Sequence, residues 1–291
     1  MAAPASHHSI GYRGRSLTNV SGSAIWLIRK GDQRPMSLFG HHHLNVSSAE
    51  AHRRFFVETL GGADVAVGST PDAIVRFPNA LVFLRKRVPT GGTKGTTVNH
   101  FAFGVPDIRQ MVDRVKAAGW PVVTRAELPP AQEVKNDLAF MVDLDTNVAF
   151  VMAPDDTKVE LLEVRGQSEP IALHHIHFLT PQVPEMKAWY VKTFDAKPGK
   201  RGNFEAADMP GVNLTYSPSP IPVVGTRGRA LDHIGFEIED LGAFCRKLEE
   251  GGVTLDRPYS VEENTQVGSA FLTDPWGTYI GLTEGLEKVS R

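Results

Sequence analysis

Four short apolar segments of this chain each open with a histidine at the same place: HHHLNV from His41, HFAFGV from His100, HIHFLT from His175 and HIGFEI from His233. Three positions on, each carries an aliphatic or aromatic residue, Leu44, Phe103, Phe178 and Phe236. Eleven histidines in 291 residues would rarely fall into one register four times by accident. Neutral imidazole is the commonest side-chain ligand for divalent metals. Two imidazoles alone hold such an ion weakly, and a carboxylate on a neighbouring strand completes a 2-His-1-carboxylate set. The last strand of each repeat is where that acid belongs. The second repeat ends in KVELLEV and supplies Glu160, with Glu163 on the opposite face because strand side chains alternate. The matching positions elsewhere read as Phe83, Asn213 and Gly281, so only one repeat offers an acid.

The elements that must position these groups can be read from periodicity. In HFAFGV, Phe101, Phe103 and Val105 share one strand face, opposite His100, Ala102 and Gly104; HIGFEI divides likewise, with Glu237 on the His233 face. The apolar face should pack under a helix, leaving the histidines to look into the concave side of a sheet. His42 and His174 then point the other way and take no role. Helices follow each strand: SSAEAHRRFFVETL capped by Ser47 or Ser48, DIRQMVDRVKAA capped by Asp107 and stopped by Gly119, PEMKAWYVKTF, and DLGAFCRKLEE capped by Asp240 and stopped by Gly251. Short strands after each helix, among them WPVVT in the second repeat, make every unit a β-α-β-β-β module.

A longer repeat overlies the first, because His41 and His175 are 134 positions apart and His100 and His233 are 133 apart. The simplest organisation is a doubled two-module unit: an N-terminal extension at 1–37, a first domain at 38–166 and a second at 167–291, joined through the polar Arg165 to Ala172 segment. Residues 1–35 read as a loosely held extension, with Met36 as the expected true start.

Bulk composition bounds the rest. Hydrophobic residues at 41% and charged residues at 22% are ordinary for a globular protein, and a net charge of −2 gives no electrostatic case for nucleic acid or an anionic membrane surface. A single cysteine, Cys245, excludes an intrachain disulfide and a thiolate cluster, which fits a reducing cytoplasm. No apolar run approaches the roughly 20 residues needed to span a bilayer. The Gly91, Gly92 and Gly95 cluster lacks the strand-to-helix context of a phosphate loop.

At this point the chain resembles the vicinal oxygen chelate superfamily, which includes glyoxalases, bleomycin-binding proteins and extradiol dioxygenases. The likeness covers about residues 38–286. It rests on the strand-opening histidines and on a closing motif, DPWGTYIGL from Asp274 to Leu282 and, more loosely, APDDTKVEL from Ala153 to Leu161. The resemblance implies an α+β fold of four βαβββ modules forming two tandem domains with cupped sheets, a metal held between facing modules. With adjacent modules paired, the ligands are His41, His100 and Glu160, Phe83 standing where a fourth would be. His175 and His233 then form a degenerate second site with Glu237 as a weak substitute acid. With modules crossed, two facing three and one facing four, the ligands are His100, Glu160 and His175, with Asn213 as a fourth group. His43 and His177 are the acid–base candidates, and Tyr216, Tyr279 and Trp276 are candidates to line a pocket. The implied cofactor is a divalent ion, ferrous iron favoured over manganese, zinc or nickel. The implied activity is that of a dioxygenase-like enzyme on a small oxygenated molecule, in a monomer or homodimer. A glyoxalase- or epimerase-like lyase or isomerase, and a metal-free binding protein of the bleomycin-resistance kind, are the alternatives.

Overall fold

The structure, a computed structural model, describes residues 37–65 and 72–286; the expected extension and start site lie outside the described residues. The first module comprises β1 (Ser37–Val46), α1 (Ala49–Arg53), which runs on as a π-helical turn over Arg54–Thr59, β2 (Ala63–Val65), β3 (Ala73–Phe77) and β4 (Ala80–Lys86). The second comprises β5 (Val98–Val105), α2 (Ile108–Ala117), α3 (Thr124–Glu127), β6 (Ala139–Met141), β7 (Thr146–Ala153) and β8 (Thr157–Glu163). The third holds β9 (Ala172–Thr180), α4 (Val183–Phe194), β10 (Lys197–Arg201), β11 (Phe204–Met209) and β12 (Val212–Pro218). The fourth holds β13 (Leu231–Ile238), α5 (Leu241–Glu250), β14 (Leu255–Val261), β15 (Gly268–Thr273) and β16 (Tyr279–Glu284).

Local chemistry sets the helix ends. Ser48 Oγ accepts from the Ala51 amide at 3.1 Å, Asp107 from Gln110 at 2.9 Å and Asp240 from Ala243 at 3.1 Å. Gly119 follows α2 at φ +82°, a left-handed conformation that glycine adopts without strain. One expectation fails. WPVVT is not a strand: Val122 makes one isolated bridge to Val151, and the chain turns at once into α3. The strands β10 (KPGKR) and β14 (LDRPYSV) carry no apolar alternation, because each lies at a sheet edge and is largely solvated.

The sheets do not join the first module to the second or the third to the fourth. One runs β14-β15-β16-β13-β1-β4-β3-β2 and unites the first module with the fourth; the other runs β10-β11-β12-β9-β5-β8-β7-β6 and unites the second with the third. This differs from the adjacent pairing that the doubled repeat suggests. The connecting segments show how it is held. The stretch before β5 and the stretch before β13 cross, with Thr90 N bonded to Gly228 O, Ala230 N to Gly91 O, and Thr97 N to Val224 O, each at 2.8–2.9 Å. The glycine cluster serves this crossing, since a side chain at Gly92 would lie 2.5 Å from the Asp156 carbonyl oxygen.

The first and second modules, and the third and fourth, meet instead through their helix-covered faces. Phe101 of β5 stacks on His42 of β1 with centroids 4.3 Å apart, Phe103 packs on Phe77 at 4.5 Å, and Phe194 of α4 packs on Phe236 of β13 at 4.6 Å. These residues belong to one continuous core drawn from all four modules. The convex faces thus pair the first module with the second and the third with the fourth, and the concave faces pair the first with the fourth and the second with the third.

Two predictions follow from this packing. Asn79, in the β3–β4 turn, accepts from Leu173 N and donates to Leu173 O, both at 2.8 Å, tying one sheet to the other. Asn79→Ala should lower unfolding free energy by about 2 kcal/mol, measured by urea denaturation, because it strands a buried amide and carbonyl; an unchanged midpoint would refute that tie. His42 is fully buried, and desolvation drops its pKa to about 3. An unfolded histidine takes its proton near 6.5, so stability is complete above that pH and is lost as pH falls towards 3. Metal-free protein should lose about 2 kcal/mol to this residue between pH 7.5 and 5. His42→Leu should flatten the pH slope by that amount, and an identical slope would contradict the assignment.

Candidate metal centre

The two strand-one segments of each sheet lie side by side and antiparallel, β5 against β9 and β1 against β13, so their histidines meet at the seam. A β-bulge interrupts each pairing next to every histidine. Asn99 is skipped between the Val98–Phe178 and His100–His177 pairs, and His174 between the Ala102–His175 and Phe103–Leu173 pairs. An extra unpaired residue swings its side chain out of alternation. Asn99 and His174, which simple alternation sends to the other face, therefore reach the histidine beside them. Asn99 Oδ1 lies 3.0 Å from His100 Nδ1, and His174 Nδ1 lies 3.0 Å from His175 Nδ1.

At the seam of the second and third modules, His100, Glu160, His175 and His177 bring one ligand atom each within 4.8 Å of one another, all four buried. Glu160 sits on β8, directly across from Ala102 of β5. Its Oε2 is 2.9 Å from His100 Nε2 and 3.1 Å from His175 Nε2. In the tautomer that donates Nδ1–H to Asn99, His100 turns its Nε2 lone pair to the carboxylate, and a cation shared by the two acceptors relieves that contact; in the other tautomer Nε2–H donates to Glu160. Spacings of about 3 Å are also those of neighbouring ligands on one ion with bonds of about 2.1 Å. The donor set therefore fits a divalent metal.

Electrostatics favour the same state. Burial pushes the Glu160 carboxyl up, but His175 and His100 together hold it well below its usual range, so it is ionised. Burial lowers His100 to about 4 against the pull of Glu160, and drives His175 and His177 well below their ordinary value. Neutral imidazoles and an ionised carboxylate are the forms that bind metal. Around them, His177 Nε2 is 2.7 Å from Ser217 Oγ, while its Nδ1 has no hydrogen-bond partner among the described residues. Phe150 and Phe204 pack edge-on against His100 and His177. Lys158 bonds Glu127 at 2.9 Å, and the buried Nη2 of Arg201 finds no partner among the described residues.

The other seam gathers His41, His43 and His233. Here the bulge residue is Asp232, whose Oδ2 accepts from His233 Nδ1 at 2.8 Å. Among the described residues no carboxylate joins this group as Glu160 joins the other, although Asp72 lies 3.3 Å from His43 Nε2. The register across the closing strands explains why: Ala102 faces Glu160, whereas His43 faces Phe83 and Gly235 faces Gly281. In the third module His177 faces Thr215, which makes Thr215 the true counterpart of Glu160 and corrects the assignment of Asn213. Asn213 lies across from His175 and is bonded to Asp208 and Thr215.

The crossed set His100, Glu160 and His175 is thus brought together, and His41 is not with it, lying in the other sheet. His43 and His177 each join a cluster at matching positions. Glu237 stands apart, its carboxylate accepting from Thr283, Gly285 and Leu286. Tyr216 is core, stacked on Phe178; Tyr279 lies 5.5 Å from His233; Trp276 donates to Gln182. Sequence reasoning missed Asn99, His174, Asp232, Lys158 and Arg201. The only signal for the first three was the polar residue directly before three of the four histidines.

Comparisons with known proteins agree with this architecture. Residues 172–282 match the family model described as Glyoxalase/Bleomycin resistance protein/Dioxygenase superfamily. The chain is 31% identical over 120 residues to "Glyoxylase I 4" of Arabidopsis thaliana, an alignment spanning 38% of this chain and 69% of that protein. Among solved structures, glyoxalase I from Zea mays shares the fold with a TM-score of 0.66 at 17% identity, over 87% of this chain and 95% of that one. A putative dioxygenase from Bacillus subtilis does so with a TM-score of 0.60 at 13% identity, over 89% and 91%. With 69% of the Arabidopsis protein aligned at 31% identity, and the four-module fold common to these structures, the chain belongs to the glyoxalase/bleomycin resistance protein/dioxygenase superfamily.

Proposed function

We propose that the chain is a metal-dependent enzyme acting on a small oxygenated molecule, with its ion held by His100, Glu160 and His175. The observation that carries this reading is the single buried carboxylate oxygen 2.9 and 3.1 Å from two imidazole nitrogens. A divalent ion bound there supplies Lewis acidity towards paired substrate oxygens and, as ferrous iron, electron transfer to dioxygen.

The chain's own groups do the rest. Glu160 offsets one of the two charges of the ion. Asn99 and His174 fix the ring orientation of His100 and His175, as outer hydrogen bonds to metal-bound imidazoles do. His177 is neutral, and its partnerless Nδ1 is free to take a proton from a substrate hydroxyl or C–H. Arg201, whose Nη2 is buried and whose charge interacts with that of Glu160, suits an anionic or enolate-like oxygen. Phe150 and Phe204 limit the water around the rings.

One carboxylate with two imidazoles, and Thr215 where a second acid would stand, is the ligand set of non-haem iron oxygenases. That favours a dioxygenase-like oxidoreductase with ferrous iron, and manganese, zinc or nickel as the other ions such donors accept. A second reading, a lyase or isomerase, is supported by the name of the Arabidopsis relative and by His177, which could shuttle a proton between adjacent carbons in place of a second carboxylate. A metal-free binding protein accounts less well for two imidazoles crowding one carboxylate oxygen.

Untagged protein should carry divalent metal at this centre, and Glu160→Ala should weaken its binding at least about 100-fold, read by equilibrium dialysis; equal binding by the variant refutes the proposal. Oxygen uptake on a catechol panel, set against isomerisation of a hemithioacetal, divides the two reactions. With either substrate class, His177→Gln should lower kcat about 100-fold or more while metal content stays constant. Arg201→Met should raise KM for anionic substrates more than it lowers kcat. A variant of either residue with wild-type kinetics would remove that residue from the mechanism.

A further inference from the structure

The second seam has no part in the centre just described, yet it is built to the same plan. His43 and His233 lie with ring centroids 4.6 Å apart and planes inclined 35°; His177 and His100 lie 4.6 Å apart at 34°. His41 is 5.5 Å from His233, and its counterpart His175 is 5.9 Å from His100. The imidazole geometry has been kept although both positions that could supply an acid are lost, one to Phe83 and one to Gly281.

We infer that the first and fourth modules form a second cation site, made of His41, His43 and His233 and no carboxylate ligand. Three observations carry this beyond a chance cluster of core residues. The ligand atoms of all three lie within 4.8 Å of one another, and all three side chains are buried. The surroundings make room for the rings: a side chain at Gly235 would run into the His41 imidazole, and one at Gly281 would meet His233 at 3.0 Å. The polar environment is that of a ligand set, not of a packed core. His41 Nδ1 is buried without a hydrogen-bond partner among the described residues, and an unpaired buried nitrogen is destabilising unless something occupies it. His233 donates Nδ1–H to Asp232, itself anchored by Asn45 and the Gly228 amide, which leaves Nε2 as the lone pair for an ion. A carboxylate behind a ligating histidine fixes its tautomer and strengthens it as a donor. Asp72, 3.3 Å from His43 Nε2, adds a second negative charge beside the trio.

Three neutral imidazoles suit zinc, nickel or copper and reject magnesium and calcium, which prefer oxygen. A tri-histidine set also leaves a fourth position for water. The first seam offers one anionic ligand and this one offers none, so the two should differ in metal preference. Zinc is the ion assigned here. The inference stands independently of the reaction proposed for the other centre.

Full-length untagged protein stripped with a chelator and dialysed against micromolar zinc tests it. Wild type should bind two equivalents, His41→Ala and His43→Gln one each, and the His100→Ala/Glu160→Ala double variant one. That remaining equivalent should bind about tenfold more weakly after Asp232→Asn. In the double variant, cobalt should give the strong visible absorption of a tetrahedral site, lost on adding His43→Gln. A wild-type protein whose only equivalent survives His41→Ala and disappears in Glu160→Ala would overturn the inference. So would a folded double variant that binds no zinc, or one whose zinc persists without His41 and His233. One equivalent lost with His41 but kept in Glu160→Ala would sustain this site while removing the other.

Discussion

The structure turns on an antiparallel seam. Two strands, each opening a different module, run against one another and deliver their histidines to a common point. β5 with β9 does this for the second and third modules, and β1 with β13 for the first and fourth. One module has only half a ligand set, because strand alternation limits it to the imidazole on its first strand and whatever its last strand carries. Facing concave side inward, paired modules bring these half sets together. The covered convex faces then supply the stability, with Phe101, Phe103, Phe194 and Phe236 drawing all four modules into one core.

Bulges give the seam its detail. Asn99, His174 and Asp232 would point to the helix side in a regular strand; as the extra residue of a bulge each backs a neighbouring histidine instead. The two seams differ in where negative charge sits. At one it is Glu160, beside His100 and His175, and the residue backing His100 is the neutral Asn99. At the other the ligand positions are apolar or empty of side chain, and the charge has moved behind the histidine as Asp232. Both arrangements keep their imidazoles neutral through burial, and both leave nitrogen lone pairs for a cation.

Much of this was legible in the residues. The repeated histidine register, the Ser48, Asp107 and Asp240 caps and the apolar faces of HFAFGV and HIGFEI specify four modules of the observed kind. Glu160 stands out as the one acid among the four matching closing-strand positions, the others being Phe83, Thr215 and Gly281. Module pairing was not legible, because local patterning is identical whether a module closes on its neighbour or on a distant partner. That choice is made by the crossing of the segments near Gly91 and Gly228, contacts between residues far apart in sequence. The sequence alone aligns Asn213 with Glu160, because a register two residues long or short preserves the same face; the His177–Thr215 pairing distinguishes them. The bulges leave no more signal than a polar residue before three of the four histidines, and the edge strands β10 and β14 carry charge where an interior strand would carry apolar residues.

The central claim is that one ion is shared by His100, Glu160 and His175 across the seam between β5 and β9. Crystals of metal-loaded protein, with anomalous diffraction collected on either side of the metal absorption edge, test it directly. A peak within bonding distance of His100 Nε2, Glu160 and His175 Nε2 is the expected result. A peak joining His41 to His100, or none near Glu160 in protein shown to contain the metal, would contradict it.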